Sequence, residues 1–170
     1  MMGEQADCGH VAVANLNPVT RAFWDNFLRS RIDPSAAAKL LYESFRIGDT
    51  EESADEGAQL ILTGAKTATS SLLWEYEQLG KPLPRVGSLS ILENGQGEPV
   101  CIVETVWLEV LPFEKIDANF AADYSEWGGT LPAWQENNWR HNSKLCERLG
   151  RVPTLQMLLV CERFRVVYAR

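Results

Sequence analysis

The feature of this sequence that most constrains its fold is a tight turn between two segments with the composition of β-strands. Residues 94–97 (Asn-Gly-Gln-Gly) are typical of a hairpin turn. The flanking segments 88–93 and 99–111 are apolar, and the second is rich in β-branched residues. A strongly apolar segment, 156–168, ends the chain as a further predicted strand. Hairpin connections of this kind predict an antiparallel or mixed sheet.

Proline-containing start signals predict helices ahead of this sheet. Asn17-Pro18 places an N-cap residue before a proline at the first helical position, which predicts a helix over 18–31. Asp33-Pro34 repeats the signal for a second helix, which Gly48 is expected to close. A third helix is predicted to end at Gly64. The apolar stripe of the second helix would consist of Leu40, Leu41 and Phe45.

The longest helix is predicted near the C-terminus. Thr130 and Pro132 mark its start and Gly150 its end. One of its faces would carry Trp134, His141, Leu145 and Leu149. These predictions indicate an α+β fold, in which a small mixed or antiparallel β-barrel is flanked by helices. We expect 1–16 to be a flexible N-terminal tail and 17–170 to be a single domain.

The charge of the chain restricts the partners that it can have. The net charge is −7 and the sequence pI about 4.9, whereas proteins that coat duplex nucleic acid are normally basic. A small ligand, a nucleoside or a single-stranded nucleotide fits this charge better than duplex DNA. With two His and no CxxC spacing, we expect no metal and no cofactor. Neither a signal peptide nor a membrane span is predicted, so the expected location is cytoplasmic.

The segment 64–71 is the leading candidate for chemistry. Gly64-Ala65-Lys66-Thr67 lacks the spacing of a phosphate-binding P-loop, which excludes an NTPase of that type. A lysine held in a partly dry cleft has a lowered pKa, so Lys66 could accept a proton from a neighbouring hydroxyl such as Thr69 and activate it as a nucleophile. In a regular strand, residues three apart face opposite sides, so these two meet only where the chain turns. The alternative is a surface lysine beside strand hydroxyls.

Further candidates lie downstream. Glu126, among aromatic residues and glycines, could orient Lys66 or move a proton, or it could be a solvated loop acid. Arg140 could meet a phosphate or a base edge, or it could lie on an exposed helix face. Three tryptophans could stack on a base, although such a residue more often belongs to the core, and we expect one of the three to line a ligand: Trp74, Trp127 and Trp134.

The motifs of this chain resemble those of a known family. They run in the order 62–69 (Leu-Thr-Gly-Ala-Lys-Thr-Ala-Thr), 83–88, 101–105, 110–113 and 159–164. Together they resemble the ASCH domain family, which has a PUA-like β-barrel fold, over about residues 40–168. The resemblance implies a cleft with an RNA-linked role.

Two branches of that family suggest activities. One branch consists of amidohydrolases that remove the acetyl group from 4-acetylcytidine with a lysine, a threonine three residues later and a downstream glutamate. Lys66, Thr69 and Glu126 match these positions, so the resemblance implies a metal-independent hydrolase. Other members resemble ribonucleases acting on single-stranded RNA, and a non-catalytic RNA-binding module is a third alternative. Residues expected to bind the substrate are Gly64, Thr67, Ser70, Ser71, Trp74, Trp127 and Arg140.

The chain departs from the commoner ASCH pattern at two positions. That pattern would place Glu and Arg where this sequence has Thr69 and Ser71. The loss of the charged pair removes a predicted phosphate contact. We therefore expect a small uncharged ligand moiety at this segment rather than a phosphate chain. The sequence does not indicate an oligomeric state.

Overall fold

Six α-helices and five β-strands form within residues 15–170, which are the residues that this computed structural model describes. In chain order they are α1 (Pro18–Arg29), α2 (Pro34–Ala38), β1 (Leu41–Phe45), α3 (Glu51–Leu62), β2 (Ala68–Leu72), α4 (Leu73–Leu79), β3 (Leu89–Glu93), β4 (Pro99–Pro112), α5 (Ala118–Tyr124), α6 (Leu131–Arg148) and β5 (Leu158–Ala169). Residues 1–14 of the predicted N-terminal tail lie outside the described part of the chain.

The strands form one mixed sheet with the order β1-β3-β4-β5-β2. β1 pairs with β3 in parallel, and β3 pairs with β4 as the predicted antiparallel hairpin. β2 pairs with β5 antiparallel, from Ala68 opposite Arg163 to Leu72 opposite Leu159. The predicted α+β class is therefore confirmed, although the sheet stays open and is at most barrel-like, because β1 and β2 are its two ends.

The chain divides into two compact units, which are described in turn. The first contains the described residues up to 62, together with 87–104 and 166–170. Its core is built by α1, whose start is fixed by the Asn17 side chain accepting from the Thr20 N–H at 2.8 Å. The helix places three aromatic residues at core spacing. The buried members of this core are Phe23, Trp24, Phe27, Leu41, Leu89, Ile91 and Ile102.

The second predicted helix is wrong over most of its length. The Asp33 side chain caps α2 as expected by accepting from the Ala36 N–H at 3.0 Å, but the helix ends at Ala38. The residues that follow form β1, in which the buried Leu41 pairs with Leu89 of β3. The apolar spacing of this segment suits a short strand as well as a helix, and pairing within the sheet decides between them.

The second unit contains residues 63–86 and 105–165. Its core lies around Trp134 of α6, whose side chain is 0% exposed and contacts the rings of Phe113, Phe120 and Tyr124. The buried stripe of α6 consists of Trp134, Asn138, Asn142 and Leu145 at a spacing of three to four residues. His141, predicted on this stripe, is exposed instead. No helix within residues 15–170 combines the length and apolarity that a membrane span requires.

Candidate active site

The backbone around Thr67 places Lys66 inside the second unit. Gly64 has a φ of 75°, a left-handed conformation that suits glycine and ends the turn after α3. The Thr67 N–H donates to the Asp123 carbonyl at 2.8 Å, and the Thr67 carbonyl accepts from the Phe164 N–H at 2.9 Å. These two bonds fix the chain just before β2. Lys66 therefore precedes the strand, and its side chain is buried rather than exposed.

Lys66 is the most deeply buried charged residue at this site. The whole residue is 1% exposed. Its Nζ lies 3.0 Å from Oε1 of Glu126 and donates to the Tyr124 carbonyl at 3.2 Å. Burial lowers the pKa of Lys66 to about 8, against the opposing effect of the Glu126 carboxylate. The alternative of a surface lysine is therefore wrong.

Tyr124 connects Lys66 with the hydroxyl groups of β2. The Lys66 Nζ lies 3.4 Å from the centroid of the Tyr124 ring, a close cation–π contact. At the other end of the ring, the phenol hydroxyl lies near the side chains of Ser70, Thr69 and Asn138. Burial, and then the charge of Glu126, raise the pKa of Tyr124 above its ordinary value. The phenol is therefore neutral at physiological pH.

A strained turn after α5 carries the acid of the site. Left-handed φ values occur at four of its five residues: Ser125 (62°), Trp127 (55°), Gly128 (85°) and Gly129 (68°). Such values are unfavourable for Ser and Trp and concentrate at functional sites. The turn directs the Glu126 carboxylate to Lys66, with the side chain 17% exposed. It also stacks Trp127 on the Tyr124 ring at a centroid distance of 5.8 Å, and Trp127 is 45% exposed.

Five of the predicted site residues are brought together around Tyr124. They are Lys66, Thr69, Ser70, Glu126 and Trp127. Ser70 Oγ is buried, and no well-directed hydrogen bond to a described residue satisfies it, although the Tyr124 hydroxyl is close. A buried hydroxyl with spare hydrogen-bonding capacity is suited to a polar ligand.

Other predicted residues have different surroundings. Arg140 pairs with Glu136 one turn earlier on the exposed face of α6 at 3.0 Å, so the structure does not bring it to this site. Trp74 packs at the edge of the hydrophobic core, with the Arg151 guanidinium 5.0 Å from its ring. Trp134 is a core residue, as described above.

Three other predicted residues of the segment 64–71 take part in its backbone turn, its backbone hydrogen bonds or its strand pairing. Gly64 supplies the left-handed turn, and Thr67 supplies the two backbone bonds described above. Ser71 is half-buried and lies opposite Val160 in the pairing of β2 with β5.

The sequence interpretation missed two residues of the site, Tyr124 and Asn138. Asn138 follows Trp134 by four residues, and its Nδ2 donates to the Trp134 carbonyl at 3.1 Å. An amide side chain on an apolar helix stripe needs polar partners when it is buried, so its position was a usable signal. Tyr124 gave no such signal, because a buried tyrosine occurs in ordinary cores as well.

The described residues give little support for metal or thiol chemistry. Within 15–170, no group of three His, Cys, Asp or Glu side chains is arranged to hold a metal ion. Cys101 and Cys161 are buried, and burial raises the pKa of each thiol to about 12. Burial also raises the pKa of Cys146. Because the thiolate is the reactive form, these cysteines are poor nucleophiles.

Comparison with known proteins places the chain in a family. The sequence model of the ASCH domain matches residues 43–168. The crystal structure of an ASCH domain from Lactobacillus crispatus JV V101 is similar at a TM-score of 0.82 and 31% identity, covering 91% of this chain and 97% of that one.

A protein from Enterococcus faecalis V583, described by the family model DUF984, has a TM-score of 0.78 at 29% identity, with 89% of this chain and 94% of that one covered. No curated protein matches significantly. Since the domain model spans most of the sequence, and a solved ASCH domain shares the fold along almost its whole length, the chain belongs to the ASCH domain family.

Proposed function

We propose that this protein is a hydrolase that removes an acyl group from a modified nucleoside, with 4-acetylcytidine as the representative substrate. The observation that carries the proposal is the buried Lys66, which contacts both Glu126 and Tyr124 and has its pKa lowered to about 8. Membership of the ASCH family implies an RNA-linked role, which agrees with a nucleoside substrate.

Lys66 has the properties of a general base. A lysine with its ordinary pKa of 10.5 is almost fully protonated at neutral pH, whereas at a pKa of about 8 roughly one tenth is neutral at pH 7. Glu126 opposes the effect of burial and holds the ammonium form that results after proton transfer. The pair can therefore take up a proton and return it in one catalytic cycle.

The reaction would proceed in two steps. The Thr69 Oγ attacks the acetyl carbonyl carbon as its proton passes to neutral Lys66. The bond between the acyl carbon and the exocyclic nitrogen of the base then breaks, and that nitrogen receives a proton from the Lys66 ammonium. Water hydrolyses the resulting ester on Thr69, which releases acetate. The products are cytidine and acetate, and the free hydroxyl of Thr69 is restored.

The surroundings of Lys66 favour a neutral, flat ligand over a phosphate chain. Trp127 is the most exposed aromatic residue of the site and offers its outer face for stacking on a base. Ser70 Oγ has hydrogen-bonding capacity to offer to an amide or carbonyl group. Arg140, the arginine predicted to meet a phosphate, is held on the surface by Glu136. The acidic net charge of −7 also disfavours a long polyanion.

An assay of the purified protein tests this function directly. We expect release of cytidine and acetate from 4-acetylcytidine, measured by liquid chromatography and mass spectrometry. A parallel arm uses single-stranded RNA of mixed sequence as substrate. Cleavage of the RNA without release of cytidine would support the ribonuclease alternative. Salt-dependent RNA binding without any turnover would support the binding module. Either result would overturn the proposal.

The pH dependence of the reaction follows from the pKa of Lys66. Because only the neutral amine accepts a proton, kcat/KM should increase about tenfold per pH unit below pH 8 and level off above it. The measurement is kcat/KM on 4-acetylcytidine between pH 6 and pH 9.5. A profile that is flat, or that decreases through this range, would contradict Lys66 as the base.

Glu126→Gln tests whether the Glu126 charge sets the pKa that governs this profile. The substitution keeps the shape of the side chain but removes the charge that raises the pKa of Lys66. We therefore expect the inflection to move to lower pH. An unchanged inflection would show that the titrating group is not coupled to Glu126.

A further inference from the structure

We infer that Tyr124 is a positioning residue that holds both the base and the nucleophile of this site, through its ring and its hydroxyl respectively. This inference rests on the proposed hydrolase function and extends it to a residue that the motif Lys66, Thr69 and Glu126 does not contain. Lys66 contacts the ring and the carbonyl of Tyr124, and the Thr69 hydroxyl lies near its phenol.

Tyr124 holds the base through its carbonyl and its ring. The Lys66 Nζ has two contacts with Tyr124, a hydrogen bond to its carbonyl at 3.2 Å and the ring centroid at 3.4 Å. The ring also packs against two neighbouring aromatic residues. It stacks on Trp127 and meets Trp134 edge-on at an interplanar angle of 84°. This packing keeps the ring, and with it the position of Nζ, fixed.

Tyr124 directs the nucleophile through its hydroxyl. A threonine hydroxyl rotates freely unless a hydrogen bond selects its direction. The Tyr124 hydroxyl lies near Thr69 and is itself braced by Asn138 of α6. Asn138 is in turn fixed by its bond to the Trp134 carbonyl. The direction of the Thr69 Oγ is therefore set from α6 through the phenol.

These contacts explain how a lysine and a threonine three residues apart can act together. Lys66 lies before β2, and Thr69 lies within it, so their side chains are directed by different backbone geometry. Tyr124 contacts the first with its ring face and carbonyl and the second with its hydroxyl. A shift of about 1 Å in either group would cost a large part of the rate.

Tyr124→Phe tests the hydroxyl alone. It keeps the ring, the carbonyl and the aromatic packing, so Lys66 should titrate as in the wild type. We expect kcat on 4-acetylcytidine to decrease by about tenfold or more, because the Thr69 hydroxyl loses its direction. KM should change by less than about threefold, because the substitution keeps the ring on which the exposed Trp127 stacks. An unchanged kcat would overturn the inference.

Tyr76→Phe is the matched control. Tyr76 is also buried, and the Lys81 Nζ lies 5.3 Å from its ring centroid. We expect kcat, KM and the pH profile of this variant to equal those of the wild type. A decrease in kcat equal to that of Tyr124→Phe would show that the loss is a general effect of removing a buried phenol, and this would contradict the inference.

Tyr124→Leu tests the ring by a readout that does not require activity. The titration of Lys66 is followed by ¹³C NMR of the lysine Cε, which reports the protonation state directly. Without the ring the ammonium loses its cation–π contact, so the midpoint should move to lower pH, whereas Tyr124→Phe should leave it in place. A midpoint unchanged in Tyr124→Leu would overturn the inference even if the wild type hydrolyses 4-acetylcytidine. Absence of hydrolysis by the wild type would instead overturn the proposed function.

Discussion

Replacing Lys66 by methionine is expected to decrease kcat/KM on 4-acetylcytidine by at least about 100-fold. Methionine has a similar length and packs in a buried site, but it cannot accept a proton. The Glu126 side chain is 17% exposed, but its Oε1, which faces Lys66, is buried and loses its partner in this variant, so the fold has to be verified. The measurement is steady-state kinetics at pH 8.5, together with circular dichroism to verify the fold. Full activity in a folded Lys66→Met protein would exclude the mechanism.

Lys81→Met is the control for that substitution. Lys81 lies in the same unit and also has its ammonium over a tyrosine ring, that of Tyr76 at 5.3 Å. Its loss removes the same charge from the protein but leaves the site unchanged, so kcat/KM should stay within about twofold of the wild-type value. An equal loss in both variants would mean that net charge, and not the base, determines the rate.

The largest effect on stability is expected for Trp134→Ala, at about 3–5 kcal/mol of unfolding free energy. Trp134 is fully buried, and three aromatic rings contact it, with the Phe113 ring closest at a centroid distance of 5.2 Å. Truncation leaves a cavity that these rigid rings cannot fill. The measurement is urea unfolding followed by circular dichroism. A loss under about 1 kcal/mol would show that the core is not centred on this residue.

Two further tryptophan variants test whether the loss of stability comes from buried packing. Trp134→Phe should cost much less than the alanine variant, because it keeps an aromatic ring, and the buried Nε1 that it removes has no hydrogen-bond partner in the described residues. Trp127→Ala should cost about 1 kcal/mol or less, because Trp127 is 45% exposed. Equal losses of unfolding free energy from Trp127→Ala and Trp134→Ala would contradict the expectation that burial determines the cost.

Local sequence signals predicted most of the elements but not their contacts. The capped starts at Asn17-Pro18 and Asp33-Pro34 form as expected because their chemistry is local. β1 was missed because Leu41 and Phe45 fit a helical spacing as well as a strand, and only pairing with β3 distinguishes the two. The same limit applies to His141, whose exposure depends on how α6 is turned toward the core.

The sequence singles out the two charged residues of the candidate site but not Tyr124. Lys66 and Glu126 stand out in the sequence because their neighbours are hydroxyls, glycines and aromatic residues, and the structure places their charged atoms 3.0 Å apart. The role of Tyr124 depends on which side chains meet its two ends, and no local pattern encodes that. Arg140 lies on the exposed helix face that the sequence allowed as its alternative, where it pairs with Glu136 one turn earlier.

The two backbone hydrogen bonds of Thr67 make the formation of this site depend on folding of the surrounding unit. Lys66 and the carbonyl that it contacts are 58 residues apart in the chain, and Thr67 is hydrogen-bonded to both α5 and β5. Contacts of such long range form only after much of the chain has been ordered. No isolated stretch of this polypeptide can therefore carry the lysine in its reactive state. The low pKa of Lys66 is a property of the assembled unit, and its titration therefore reports that assembly.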